Sequence, residues 1–359
     1  MHRRSFLIGS SACLVIGAQA CTQLGVVARQ KVLVSSASDI DGNHYVVATH
    51  VNGQIVSQTR LPKRGHDTLP LPHKAGHVLV LARRPDRLAM EINVLEGKVT
   101  RVFEAQRGHH FYGHGELSSD GRFLYTSEND YENNRGVITI RETEHYQTLS
   151  QFDSGGIGPH DIKLMPDGLH LAIANGGIST HPDWPRMKLN VDTMQPNLSL
   201  VNLNTGRVQR QYTPPHHQLS LRHLDVNHNG DIYVGAQFQG DYSKQYPLVF
   251  VQSGNRQLQA LHASEDDWRA MRQYTASVCV DKERLLVTCP RGDLLTFWNT
   301  SSGKLERKVE LKDAAGVAAI EGEFIVSSGH GRLLKTHGQQ TEKQTLVEGV
   351  RFDNHMTLV

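Results

Sequence analysis

An apolar stretch, a tight polar turn and a second apolar stretch recur along this chain, and the repetition restricts its fold more than any other feature. "YGHGELSSDGRFLYTSEND" (112–130) is echoed by "GPHDIKLMPDGLHLAIANGG" (158–177) and "SLRHLDVNHNGDIYVGAQFQG" (220–240). Looser versions are "GHDTLPLPHKAGHVLVLARR" (65–84), "YTASVCVDKERLLVTCPRGDLL" (274–295) and "AAGVAAIEGEFIVSSGHGRLL" (314–334). Asp120-Gly121, Asp167-Gly168 and Asn229-Gly230 read as hairpin turns, because glycine supplies the positive φ such turns require. Further alternating strands such as "GVITIRE" follow each unit.

Four short antiparallel strands every forty residues or more are the mark of a β-propeller blade. Starts near 66, 114, 160, 223, 274 and 316 give six blades, and the C-terminal "VRFDNHMTLV" is then a first strand with no partners after it. The missing three strands lie at the other end of the chain: "KVLVSSA", "HYVVATHV" and "QIVSQTR", joined at Asp41-Gly42 and Asn52-Gly53. The fold expected is therefore all-β, a seven-bladed β-propeller spanning 31–359 and closed by N- and C-terminal strands in one blade. Such closure removes the open sheet edge that invites aggregation. Blade three is the longest, and its excess falls in a Pro-rich rim insertion, 177–197. A long loop on a rigid scaffold is a place for function, or else a tolerated insertion.

The first residues, "MHRRSFLIGSSACLVIGAQAC", carry Arg3-Arg4, a short apolar run and the small-x-small site Ala18-Gln19-Ala20. That pattern reads as a twin-arginine-type signal peptide over 1–20, with 21–30 as a mature linker, and it implies a periplasmic protein. Cys21 follows the cleavage site, so lipidation there is an open alternative, and the membrane is a partner only in that case. Net charge is +2, which gives no reason to expect nucleic acid. Cys279 and Cys289 flank a turn without standing opposite each other in a regular hairpin, and their pairing stays open.

Histidine is the outlier, with 21 in the chain. His66, His114, His160, His223 and His355 each stand at or just before the first strand of a blade, the strand that lines a propeller's channel. Blades five and six offer Tyr274 and Asp313 or Ala314 instead. Register qualifies the ring: His114 and His223 lie six residues before Asp120 and Asn229, but His160 lies seven before Asp167. A one-residue slip turns a side chain to the other face unless a bulge absorbs it. Three converging imidazoles suffice for a first-row metal such as Fe, Cu or Zn, and His114, His160, His223 and His355 are the candidate ligands. An organic ligand's hydrogen-bonding ring, or purely structural histidines, are the alternatives. Glu128, Asp130, Gln237 and Arg291 end second strands and point to the same mouth, where Arg222 and Arg186 could hold an anion. There is no Gly-x-Ser-x-Gly elbow, His-Glu-x-x-His, phosphate loop or EF-hand.

"FYGHGELSSDGRFLYTSENDYE", "GIGPHDIKLMPDG", "ANGGISTHPDWPRMKLNVDTMQPNLS", "LSLRHL" and "FDNH" resemble an exported bacterial propeller family, domain of unknown function 1513. The resemblance covers nearly all of the mature chain. It implies a YVTN-repeat-like periplasmic propeller, often encoded beside imelysin-type iron-uptake proteins and di-haem oxidases, and no established reaction. Its motif positions fall on His114, Glu128, Asp130, His160, His181, Arg186, Lys188, Asn190, Arg222, His223 and His355.

Two functions follow as expectations. One is a non-enzymatic binding or accessory propeller, handling iron or copper, with a metal ion or small ligand at the channel mouth and periplasmic iron-uptake proteins as partners. The other is a lactonase-like hydrolase or cofactor-dependent oxidoreductase, in which His160 or His223 works as general base with Glu128 and Arg222.

Overall fold

A computed structural model describes residues 31–184, 187–320, 322–337 and 340–359; the signal, the linker and Cys21 lie outside the described residues. The described residues form seven antiparallel sheets, six of four consecutive strands each and one that joins strands from both ends of the chain. In blade two the order from channel to rim is His109–Leu117, Phe123–Asp130, Arg135–Glu142 and Thr148–Asp153. Gly121 at φ +69° and Gly168 at φ +67° make the turns between first and second strands, a conformation most side chains resist.

Burial grades outward along each blade. The second strand of blade four, Ile232–Phe238, is buried throughout, whereas the outer strand of blade five, Leu305–Glu310, alternates between half-buried and exposed. An inner strand sandwiched on both faces reads as continuously apolar, and a rim strand wetted on one face alternates. The apolar faces pack blade on blade: Val32, Val34 and Val46 of blade seven meet Val78, Val80 and Ile92 of blade one. On blade five's flank a short helix, Glu265–Ala270, is started by a Ser264–Asp267 capping box and lays Trp268 on Trp298, ring centroids 5.3 Å apart.

Blade seven closes the ring as expected. Val32–Ser38, His44–His50 and Ile55–Leu61 from the N-terminal side pair with two C-terminal pieces, Arg351–Phe352 and Thr357–Leu358. The bonds Val32 N to Val359 O (3.0 Å) and Val359 N to Val32 O (2.9 Å) seal it. The innermost strand is split, because Asp353–Met356 leaves the ladder between its two pieces. Blade five's innermost strand is Val278–Asp281, so Tyr274 precedes it and only bridges Gln237. Cys279 faces Leu286 and Cys289 faces Leu294 across the ladders, so both thiols are free.

Candidate metal centre

The innermost strands bulge where the histidines sit. In blade one Gly65 pairs with Ala82 and Thr68 with Val80, so His66 and Asp67 together oppose one residue. Blade three places His160 between the Pro159–Asn175 and Asp161–Ala174 pairs, and blade four places Arg222 and His223 between Leu221–Ala236 and Leu224–Val234. Blade two holds three residues, Tyr112, Gly113 and His114, between Phe111–Glu128 and Gly115–Thr126. A bulge re-aims a side chain without breaking the sheet. These bulges absorb the uneven spacing of His160 and turn all four imidazoles to the channel.

Blades five and six make room for the fifth. Blade six bulges at Ala315-Gly316, and a Cβ on Gly316 would lie 2.6 Å from the His355 carbonyl carbon. Ser277 of blade five bonds the Asn354 carbonyl, and Ser35 bonds that of His355. The C-terminal excursion therefore fills the side of the channel that those blades leave open, and it brings His355 to the other four. Gly113, at φ +106°, lets His66 pass within 2.5 Å of where a Cβ would be.

The five rings form one cluster. Centroid separations are 4.8 Å for His66–His114, 5.1 Å for His114–His160, and 4.6 Å for both His160–His223 and His223–His355. His223 Nε2 lies 3.1 Å from the Nε2 of both His160 and His355. One proton on that nitrogen can bridge only one of them. Two nitrogens ligating one ion at about 2.1 Å stand about 3.0–3.4 Å apart, depending on the angle between them. Both nitrogens of His66, Nε2 of His114, and Nδ1 of His160 and His223 are buried without a hydrogen-bond partner. Native structures rarely leave buried polar atoms bare, so a concentration of them marks a place for a ligand. One ligand atom each from His66, His114, His160 and His223 falls within a 4.8 Å span, as it does for Asp67, His114 and His355.

Carboxylates stand behind two of the rings. His114 Nδ1 is 3.2 Å from Asp161 Oδ1 and 3.4 Å from Asp67 Oδ2, which fixes a proton on Nδ1 and turns Nε2 toward the other rings. Asp161 Oδ2 in turn accepts the Leu224 N–H at 2.9 Å. Asp353 is fixed by Arg64 at 2.6 Å and faces His66 Nδ1 at 3.9 Å, beyond hydrogen-bond reach but close enough to act electrostatically. Burial holds the His66 imidazole down to about 4 and His355 to about 3, and it drives His160 and His223 well below the ordinary range. His114 goes the other way: burial opposes its charge, but Asp161 and then Asp67 prevail and raise it to about 9. Four neutral imidazoles, with His114 joining them once an ion displaces its Nε2 proton, are a donor set that can hold a metal ion. Below the ring the channel continues as a cavity of about 300 Å³, lined in part by Asp161, Lys163, Asp225 and Cys279.

The other candidates are placed differently. Glu128 is fully buried inside blade two, bonded to His109 (3.1 Å), Thr126 (2.8 Å) and Arg141 (2.8 Å), so it is not paired with His160 or His223. Asp130 holds Arg135 at 2.8 Å and Asn133, and Gln237 donates to the Thr275 carbonyl. Asn190 ties the blade-three insertion together through the Ser179 N–H and the Gly177 carbonyl. His181 packs between Tyr131 and Trp184 and accepts the Asp183 N–H. Lys188 donates to Gln239, Arg291 to Tyr242, and Arg222 is buried beside His223. Arg186 lies outside the described residues. The sequence reading missed Asp67, Asp161 and Asp353; the repeated His-Asp dipeptide at 66–67 and 160–161 was the available signal.

Fold and site define a seven-bladed propeller with a buried imidazole cluster, able to hold a metal ion, set across its channel. Residues 59–359 match the family model described as "Protein of unknown function (DUF1513)", and the chain belongs to that family. No curated protein matches its sequence. Among solved structures the chain is similar to Kuenenia stuttgartiensis hydrazine synthase, at 12% identity and a TM-score of 0.65 over 85% of this chain and 95% of that one. At that identity the likeness is one of fold.

Proposed function

We propose that this protein is an exported, non-enzymatic metal-binding propeller that handles iron or copper through its five-histidine cluster. One observation carries the reading: imidazoles from five separate places in the chain converge with bare nitrogens, five of which have no hydrogen-bond partner. Imidazole suits iron, copper and zinc alike. Asp161, Asp67 and Asp353 would orient His114 and His66 and partly offset the ion's charge. The Arg3-Arg4 signal supports the exported setting, since twin-arginine export carries proteins that are already folded and can carry a bound ion.

The test is metal content by plasma mass spectrometry on protein purified from periplasm without chelator or His tag, beside a His114→Ala/His160→Ala/His223→Ala variant. Near-stoichiometric iron or copper, lost in the still-folded variant, is expected. No metal in either protein after loading with iron, copper and zinc would reject the reading, and zinc alone would reject the assignment of the ion.

A further inference from the structure

At the end where the innermost strands begin, the upper mouth, positive side chains come from several blades. Arg83 and Arg84 follow the second strand of blade one, and Lys188 stands on the blade-three insertion. Arg222 projects from the blade-four bulge, and Arg291 sits on the turn after the second strand of blade five. None of these five enters an ion pair among the described residues, whereas neighbouring Arg64 is already taken by Asp353. Lys188 and Arg291 are steadied by neutral groups: Gln239 Oε1 at 2.6 Å, and the Tyr242 hydroxyl at 3.1 Å with the Tyr274 ring 4.3 Å beneath the guanidinium. Arg222 is the anomaly. It is only 7% exposed, and its Nε is buried with no acceptor. A buried, unpaired guanidinium carries a desolvation cost that an incoming anion would relieve.

We propose that the upper mouth binds a small organic anion carrying two or more carboxylates, anchored on Arg222. Guanidinium forks match carboxylates two bonds at a time. The cations come from four different blades around the mouth, so several spaced carboxylates fit the arrangement. Electrostatics agree: burial lowers Lys188, and the nearby Arg222, Arg291 and Arg84 lower it further against the opposing effect of Tyr242. A bound anion reverses that repulsion. Arg222 shares the blade-four bulge with His223, so an anion held there would stand beside the imidazole ring. Any contact between that anion and a bound ion rests on the metal reading; binding of the anion does not.

Citrate, succinate and inorganic phosphate are titrated calorimetrically into the purified protein, both metal-stripped and metal-loaded. Citrate is expected to bind with a Kd below about 1 mM and succinate more weakly, with affinity falling as salt rises. Arg222→Gln and Arg84→Gln should each weaken citrate by about tenfold or more. Arg84→Gln should keep its metal content, and it decides the matter alone if Arg222→Gln does not fold. Phosphate binding as tightly as citrate would overturn the polycarboxylate assignment. No binding by any of the three, or citrate binding unchanged in the folded variants, would overturn the site itself. Because metal content is measured on the same samples, loss of the ion with citrate binding intact would count against the metal reading alone.

Discussion

Two clusters of buried histidines, which come within four residues of each other at His110 and His114, have opposite characters. In blade two, His109 and Glu128 pair at 3.1 Å, Arg141 closes on Glu128 at 2.8 Å, and its guanidinium lies over the rings of Phe103 and Phe111. His110 gives its Nδ1 proton to the Phe111 carbonyl and accepts from Asn129 at 3.0 Å. Apart from Arg141 Nη2, this network is satisfied within the blade. In the channel, by contrast, five imidazoles crowd together and five of their nitrogens have no partner. Burial is the same in both places, and so is the residue type. What separates a structural cluster from a binding one is the bonds left unmade.

The largest effect that can test this contrast lies in stability. Glu128→Gln strands the Arg141 charge, which is 1% exposed, and should cost about 3–5 kcal/mol in urea unfolding. His160→Ala in metal-free protein should cost only about 1 kcal/mol, since at most one weak hydrogen bond is lost. The reverse order would make the channel histidines the structural ones.

Acid sharpens the comparison. Burial holds His110 at about 4 against 6.5 in the ordinary state, so the unfolded chain takes up the proton first. The stability this group contributes is complete above pH 6.5 and is lost as pH falls toward 4, by up to about 3 kcal/mol. His110→Gln, compared with wild type by denaturant titration from pH 7 to 4, should flatten that part of the slope; an unchanged slope would contradict the assignment.

The smallest expected effect is on the ring's support. Asp161→Asn should weaken metal affinity by about 10–100-fold in competition with a chelator, while saturating metal still fills the site. Unaltered affinity would mean that Asp161 does not orient His114.

The fold was readable because its signals are local and repeated. Asp-Gly and Asn-Gly turns count the blades, and the partnerless strand ending in Thr357-Leu358-Val359 demands the three strands that begin at Val32. The positions of the ring histidines were readable for the same reason. Their convergence was not, because it depends on bulges of different size in blades one to four, and bulges leave no fixed spacing. Glu128 shows the complementary failure: it ends a strand like Gln237 and Arg291, but sequence carries no sign that Arg141, on the next strand, draws it inward. Arg83-Arg84 occupies the same strand-end position in blade one and went unremarked, since a lone basic pair looks like any surface charge.

The most direct test of the central claim is anomalous diffraction at the metal's absorption edge from crystals of metal-loaded protein. The account predicts one strong peak inside the cluster, with at least three nitrogens from His66, His114, His160, His223 and His355 at about 2.0–2.2 Å. A peak elsewhere on the propeller, or density for a ring of imidazoles bonded only to one another and to water, would contradict it.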